Sequence, residues 1–318
     1  MASTTVSQRP RALSLAIVPS PLLRLPAELL FDILELCFLQ CKPTVLATIS
    51  QVIASFVESI LYRSVVLDSG DSVSSFHQAV TMKSPYFLVT NVKNLAFTWV
   101  PFPNSRACKQ IWDIIVACTG VKTLSLPPGY HPLSLASIVH TRGSALAELV
   151  LASYDEVDYM GRCTSLQYIP EIHSTNSPLV PSSLTHLRVC EPSIAWCPPS
   201  SMLESLGELP HLSHLQLSRR AYANEDNDVT FMDDVSDILT LRPQLQKFVV
   251  LIFPCLWAEG DNVQQSHIWI QLSKIAEEDT RLVLRQGDYG AWRDDCKTTF
   301  SSPIRPSGFW RALEAAKD

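Results

Sequence analysis

Residues 212–217 read LSHLQL, in which apolar residues occupy the first, fourth and sixth positions. Tyr62-Val65-Leu67 has the same spacing, and so have five further sets: Val92-Leu95-Phe97, Val121-Leu124-Leu126, Leu146-Leu149-Leu151, Leu184-Leu187-Val189 and Leu245-Phe248-Val250. The last apolar residues of successive sets are roughly 25 to 38 residues apart along the chain. A recurrence of this length predicts an array of structural repeats.

The stretches between these segments carry helical signals. Within residues 105–118, apolar residues recur every three or four positions and Gly120 follows, as at the end of a helix. Residues 132–143, 201–209 and 231–241 show related patterns. A strand followed by a helix, repeated along the chain, predicts an α/β fold with a parallel sheet. The apolar positions of each strand then face the core, and the residues between them face the other side.

These segments resemble leucine-rich repeats over roughly residues 62–285. The resemblance implies a solenoid whose parallel sheet lines a concave binding surface. Residues 281–284 are predicted to form a last, incomplete strand, and an exposed terminal repeat needs a cap. Residues 286–318 are expected to provide that cap through Trp292, Phe309 and Trp310, with a disordered tail as the alternative for residues 294–306.

A different pattern precedes the repeats. Residues 25–36 read LPAELLFDILEL, and apolar residues surround the predicted helix from Glu28 to Leu39 on more than one face. Two more apolar helices are predicted before the first strand. A small three-helix unit cannot bury so much apolar surface, which indicates a protein partner.

The segment resembles an F-box, on Leu25-Pro26 with Glu28-Leu29-Leu30 and Ile33, then Leu46-Ala47, Val52, Ser55-Phe56 and Leu61-Tyr62-Arg63. The resemblance implies docking on the Skp adaptor, and through it on a cullin, with contacts from Leu25, Pro26, Leu29, Leu30 and Ile33. The run from Ile53 to Phe56 lacks the basic residue and the tryptophan that are usual in the family. An N-terminal helical cap is therefore the alternative interpretation.

Charge and cysteine content narrow the classes of partner. The chain has 25 Lys and Arg against 31 Asp and Glu, and no basic run is longer than Arg219-Arg220. This balance predicts no nucleic-acid or membrane-surface binding. Nine cysteines without a Cys-x-x-Cys motif indicate reduced thiols in a cytoplasmic or nuclear protein. No apolar stretch approaches the ~18 residues of a membrane span.

Polar residues concentrate at the outward positions of the fourth to sixth repeats, counted from Val92-Leu95-Phe97. Because adjacent strands lie ~4.8 Å apart, we expect His186 beside His214 and Arg188 beside Gln216. With Lys247 these four form the predicted substrate-binding patch, and a merely solvated sheet face is the alternative. A zinc site of His186, His214 and Cys190 lacks a fourth ligand at motif spacing, so no metal is predicted.

Motifs of catalysis are not apparent. Residues 224–228 begin like a calcium loop but lack its glycine and its final glutamate, which favours a solvated loop. The sequence has no Gly-x-Ser-x-Gly, no His-Glu-x-x-His and no glycine-rich phosphate loop. We therefore expect that the protein is not an enzyme and has neither catalytic residues nor a cofactor. A Cys-His hydrolase is the enzymatic alternative.

The sequence as a whole predicts a substrate-recognition adaptor of a cullin-RING ubiquitin ligase that binds an unknown protein substrate through its repeats. The alternative is a repeat-based interaction scaffold without ligase coupling. The expected organisation has four parts: a flexible tail over 1–21, an F-box-like helical module over 22–63, a leucine-rich-repeat-like solenoid over 64–285 and a C-terminal cap or tail over 286–318.

Overall fold

A computed structural model of the chain describes residues 21–101, 105–129, 138–139, 145–154, 183–193, 195–255, 262–301 and 308–315. The chain divides into two compact units, Met1–Val57 and Glu58–Asp318. The described part of the first is called the helical unit, and that of the second the sheet unit. The division falls inside a helix, slightly before the boundary expected at residues 63–64.

The helical unit is built from three helices, as the apolar pattern predicts, and the third extends beyond it. They are α1 (Ala27–Phe38), α2 (Pro43–Ala47) and α3 (Gln51–Arg63), and α3 continues into the sheet unit. The backbone N–H groups at the start of a helix have no partner within the helix, so proline, which lacks this group, is favoured there. Pro26 directly precedes α1, and Pro43 is the first residue of α2. The buried side chains of the helical unit are Leu30, Leu34, Glu35, Leu46, Ile53 and Val57.

The sheet unit is an α/β structure built on one eight-stranded sheet. Each strand pairs in parallel with the next strand of the chain, so the order in the sheet is the order in the sequence. The strands are β1 (Ser64–Leu67), β2 (Asn94–Phe97), β3 (Thr123–Leu126), β4 (Glu148–Leu151), β5 (His186–Val189), β6 (His214–Arg220), β7 (Lys247–Phe253) and β8 (Leu282–Gln286). All eight coincide with strands predicted from the spacing, including the last one.

The crossovers between strands contain six further helices among the described residues. They are α4 (Gly70–Met82), α5 (Pro85–Asn91), α6 (Arg106–Ala117), α7 (Pro199–Ser205), α8 (Glu225–Leu241) and α9 (His267–Glu278). Their apolar side chains and the apolar strand positions form one large core, which includes Leu124, Leu187, Phe248, Ile111 and Val235. Of the helix predicted over residues 132–143, all but residues 138 and 139 lies outside the described residues.

The acidic stretch after β6 corrects one expectation. Residues 225–228, predicted as a solvated loop, form the first turn of α8. The side chain of Asn224 accepts a hydrogen bond from the backbone N–H of Asn227 and caps the helix. Glu225 and Asp226 then face the positive end of the helix dipole, which favours helix over loop.

Two C-terminal helices correct a second expectation. α10 (Ala291–Ser301) and α11 (Phe309–Ala315) follow β8, and their described side chains pack on the sheet face opposite the main core. α10 lies against β1 and β2, at the end of the sheet away from β8. We call this side of the sheet the covered face. It is not the open surface that the repeat pattern predicts.

Gly120 provides a test of the packing between α5 and the turn before β3. A Cβ atom at this position would lie 1.9 Å from the carbonyl oxygen of Val89. We expect Gly120→Ala to lower the free energy of unfolding by about 1–3 kcal/mol in urea denaturation. Gly308→Ala is the control, because a Cβ atom there meets nothing within 4 Å. Equal unfolding midpoints for the two variants would contradict this packing.

Candidate functional site

The strand register brings the predicted patch residues together. Across the covered face, Glu148 pairs with His186, His186 with His214, and His214 with Lys247. In the next row of the same face, Arg188 pairs with Gln216. The expected neighbourhoods of His186 with His214 and of Arg188 with Gln216 are therefore confirmed. Their substrate-binding role stays a prediction.

The two histidines form a stacked pair. Their ring centroids are 4.3 Å apart and the ring planes differ by 16°. A hydroxyl residue precedes each histidine: Thr185 Oγ1 lies 2.7 Å from Nδ1 of His186, and Ser213 Oγ lies 2.9 Å from Nδ1 of His214. Burial, with a contribution from His214, lowers the pKa of His186 to about 4. His186 is therefore uncharged at neutral pH.

Arg188 is the charged centre of the covered face. Only 6% of the residue is exposed. Its Nε donates to Oε1 of Gln216 at 2.8 Å, and its Nη2 donates to Oδ2 of Asp295 on α10 at 3.1 Å. The guanidinium carbon lies 3.7 Å from the centre of the Phe309 ring on α11, a cation–π distance. One side chain thus connects both C-terminal helices to the sheet.

Trp310 joins α11 to the row of histidines. Its indole Nε1 donates to Oε1 of Glu148 at 3.1 Å. Its ring centroid lies 5.6 Å from that of His186 and 5.1 Å from that of His214. Burial raises the pKa of the Glu148 carboxyl, while Arg188 and the Trp310 hydrogen bond act in the opposite direction. The carboxyl is therefore matched to an N–H donor of α11.

The part of the covered face beneath α10 is apolar. Trp292 and Cys296 of α10 pack with Ala96, Val150, Ala152 and Cys190 in a second, smaller core. Burial raises the pKa of Cys190 to about 12 and that of Cys296 to about 11. Both thiols are therefore protonated at neutral pH, and neither is an activated nucleophile.

The C-terminal helices change the status of the predicted patch. Arg188, Gln216 and Lys247 are 6%, 0% and 9% exposed. The expectation of a freely accessible patch is therefore wrong. The physical reason is that Phe309 and Trp310 lie over it, on the face of the sheet, rather than at the end of the sheet where a cap would lie.

The sequence places Glu148 in the same outward row as His186 but assigns it no role, it gives no signal for Asp295, and it predicts a different role for Phe309 and Trp310. A signal for the cover was present in the outward strand positions, where Ala96, Val150 and Val249 are apolar. Apolar residues on both faces of a strand are typical of a sheet buried on both sides. Ser307, predicted to cap the final helix, lies outside the described residues.

The sheet has a further cavity at the carboxyl ends of β5 and β6. Its lining includes Trp196, Arg219, Arg220 and Asn224. Arg219 is paired with the buried Asp228 at 2.6 Å and stacks on the Trp196 ring at 4.4 Å. Nη2 of Arg220 donates to the carbonyl oxygen of Ser193 at 3.1 Å. Both guanidinium groups therefore serve local structure.

No group of three or more His, Cys, Asp or Glu side chains that could hold a metal ion occurs among the described residues. His186, His214 and Cys190 are consequently not supported as a zinc site. All described cysteines are free, and Cys108, Cys118, Cys190 and Cys296 are buried. No described helix has the length and apolar character that a membrane crossing needs.

The predicted adaptor-binding residues lie at the start of α1. Leu25 and Leu29 are 37% and 50% exposed, Pro26 is exposed and Ile33 is half-buried. Leu30 is a correction, because only 2% of it is exposed. Its side chain belongs to the interior of the helical unit and cannot contact a partner as the unit stands.

A comparison with protein-family models finds no match to the chain, and a comparison with curated proteins finds no similar sequence.

The half-buried histidine pair predicts a pH dependence. The pKa of His186 is about 4 in the folded chain, against an ordinary value of 6.5. As the pH falls from 6.5 towards 4, the unfolded chain takes up this proton first, so stability is lost in that interval. We expect the melting temperature of the wild type to fall more steeply there than that of His186→Gln. The raised pKa of Glu148 has the opposite effect on stability, but it is present in both proteins and cancels in the comparison. Parallel plots of melting temperature against pH for the two proteins would contradict the lowered pKa of His186.

Proposed function

We propose that the chain is a substrate-recognition subunit of a cullin-RING ubiquitin ligase. In this proposal the helical unit docks on the Skp adaptor, and the sheet unit binds a protein substrate as a leucine-rich-repeat solenoid. The F-box resemblance of residues 25–63 supports the first part. The consecutive order of eight parallel strands supports the second, because a solenoid adds each repeat beside the previous one.

The observation that carries the proposal is the exposed apolar surface of the helical unit. Seven large apolar side chains within residues 25–52 are 37–64% exposed: Leu25, Leu29, Leu36, Leu39, Val45, Ile49 and Val52. Within the same range only three large apolar side chains are buried: Leu30, Leu34 and Leu46. Exposed apolar side chains at this density are typical of a protein-interaction surface.

The geometry refines the set of adaptor contacts. Leu25, Pro26 and Leu29 are accessible at the amino-terminal end of α1, and Ile33 is partly so. Leu30 supports this surface from inside. Phe56 packs edge-on against Phe31, with ring centroids 5.0 Å apart. We therefore assign Phe56, which stands where the family has its tryptophan, a packing contribution.

The ubiquitin-transfer chemistry belongs to the partners in this proposal. The Cys-His hydrolase alternative is disfavoured at the covered face, because burial raises the pKa of Cys190 to about 12 and that of Cys296 to about 11. The second candidate function is an interaction scaffold without ligase coupling. Ala54 favours it, since the family usually has a basic residue in this run.

Leu29→Asp separates the proposal from the scaffold alternative. Because Leu29 is 50% exposed, the new carboxylate remains hydrated and the fold is retained, while the apolar contact is lost. We expect the wild type to co-purify with recombinant Skp adaptor and Leu29→Asp to bind at least about tenfold more weakly, which corresponds to about 1.4 kcal/mol. Isothermal titration calorimetry gives the comparison.

Two further variants serve as controls. Leu241→Asp introduces the same charge at a leucine of α8 that is 76% exposed, and it should leave adaptor binding unchanged. Leu30→Ala should lower the free energy of unfolding by about 2–5 kcal/mol, since it removes a buried side chain. Absence of a wild-type complex at micromolar concentrations would refute ligase coupling and leave the scaffold function.

A further inference from the structure

The surface beneath α11 is polar although it is covered. Arg188, Gln216 and Lys247 are each at most 9% exposed. Buried apolar residues of similar size would hold a permanent cover equally well or better, without the cost of removing charge from water. Nε2 of Gln216 has no hydrogen-bond partner within the described part of the chain. This surface is therefore not optimised for permanent burial.

The contacts of α11 have the form of a recognised ligand. Trp310 gives an indole N–H to Glu148 at 3.1 Å, Phe309 lies against the Arg188 guanidinium, and Leu313 packs with Val249. An aromatic pair followed by an aliphatic residue one turn later is the pattern by which an amphipathic helix binds a groove. Each of the three side chains meets a different chemical feature of the sheet.

α11 shares one anchor, Arg188, with α10, but α10 has other anchors of its own. α10 has Trp292 in the smaller core and Asp295 on Arg188, and the N–H of Gly290 before it donates to Oε1 of Glu191 at 2.7 Å. α11 has seven residues, too few for a helix that is stable in isolation. Its helical state therefore depends on the sheet, and its release leaves the anchors of α10 in place.

We propose that the covered face beneath α11, from β4 to β8, is a binding site for a helical segment of another protein, and that α11 is its resident internal ligand. The segment carries a Phe-Trp-type aromatic pair with an aliphatic residue three positions after the second aromatic. Such a segment replaces α11 and takes over its contacts. This inference deepens the proposed function. It rests on that function only for the statement that the segment belongs to a substrate.

Specificity for tryptophan over phenylalanine follows from Glu148. A segment with phenylalanine in the second aromatic position leaves a buried carboxyl oxygen without its N–H donor, and an unsatisfied buried acceptor is costly. The first aromatic position has no such requirement, since the guanidinium of Arg188 binds the face of a ring.

A peptide in trans tests the exchange. We would use a fluorescently labelled peptide of residues 305–318, RPSGFWRALEAAKD, with the full-length wild type and with full-length Trp310→Ala. If α11 occupies the site nearly always, only a small fraction of wild-type molecules has a vacant site, and the apparent affinity for the peptide is reduced by that fraction. We then expect the wild type to bind the peptide at least about tenfold more weakly than Trp310→Ala. Fluorescence anisotropy gives both dissociation constants. Peptides that carry Trp310→Phe or Trp310→Ala should bind at least about tenfold more weakly than the parent peptide.

A second measurement on the wild type avoids reliance on the folding of the variant. Excess parent peptide should accelerate amide hydrogen exchange over residues 309–315 and leave residues 291–298 unchanged, while the Trp310→Ala peptide should do neither. Equal affinity of the peptide for the wild type and for Trp310→Ala would overturn the inference. The same holds if neither protein binds the peptide and the amide exchange of residues 309–315 in the wild type is unchanged. Adaptor binding measured on the same samples separates this result from the proposed function, because the peptide site lies in the sheet unit and Leu29 in the helical unit.

Discussion

The sheet unit depends on one interaction, the in-register parallel pairing of equivalent residues in eight successive strands. Leu95, Leu124, Leu149, Leu187, Leu215 and Phe248 occupy the same position in their strands and form one continuous row in the core. Because side chains alternate between faces, this row fixes every neighbouring row as well. A shift of one residue in any strand would place its leucine on the covered face and a polar residue in the core.

This register also determines the chemistry of the covered face. Residues one position before and after the leucine row are placed side by side whether or not they suit burial. Towards β1 the residues after the leucine row are small, and Trp292 of α10 packs there with its indole Nε1 buried and without a hydrogen-bond partner in the described part of the chain. From β4 to β7 they include Glu148, Arg188 and Gln216, so α11 meets the carboxyl of Glu148 with an N–H donor and the guanidinium of Arg188 with a ring. The two C-terminal helices therefore meet chemically different parts of the sheet.

Most of the sheet could be predicted from the sequence, because its information is local and repeated. The same apolar spacing in each segment indicates the strand, its inward face and its neighbour. The C-terminal cover carries no such signal. Trp310 and its partner Glu148 are 162 residues apart in the chain, and a hydrogen bond over that separation leaves no period to detect. Leu30 and Leu29 are likewise adjacent and chemically identical, so the sequence could not show which of them faces the interior.

Arg188 indicates where the cover can separate. The guanidinium has two hydrogen bonds, to Gln216 and to Asp295, and one aromatic contact, to Phe309. Departure of α11 removes only the aromatic contact, so the charge keeps its carboxylate and gains access to water. Departure of α10 removes the carboxylate and exposes the ring of Trp292, which is 3% exposed in the folded chain. Departure of α11 also exposes Trp310 and Leu313, which are 7% and 2% exposed in the folded chain, but it leaves Arg188 paired, so the electrostatic cost of the first step is smaller than that of the second. The boundary between a fixed and an exchangeable cover therefore lies between the two helices.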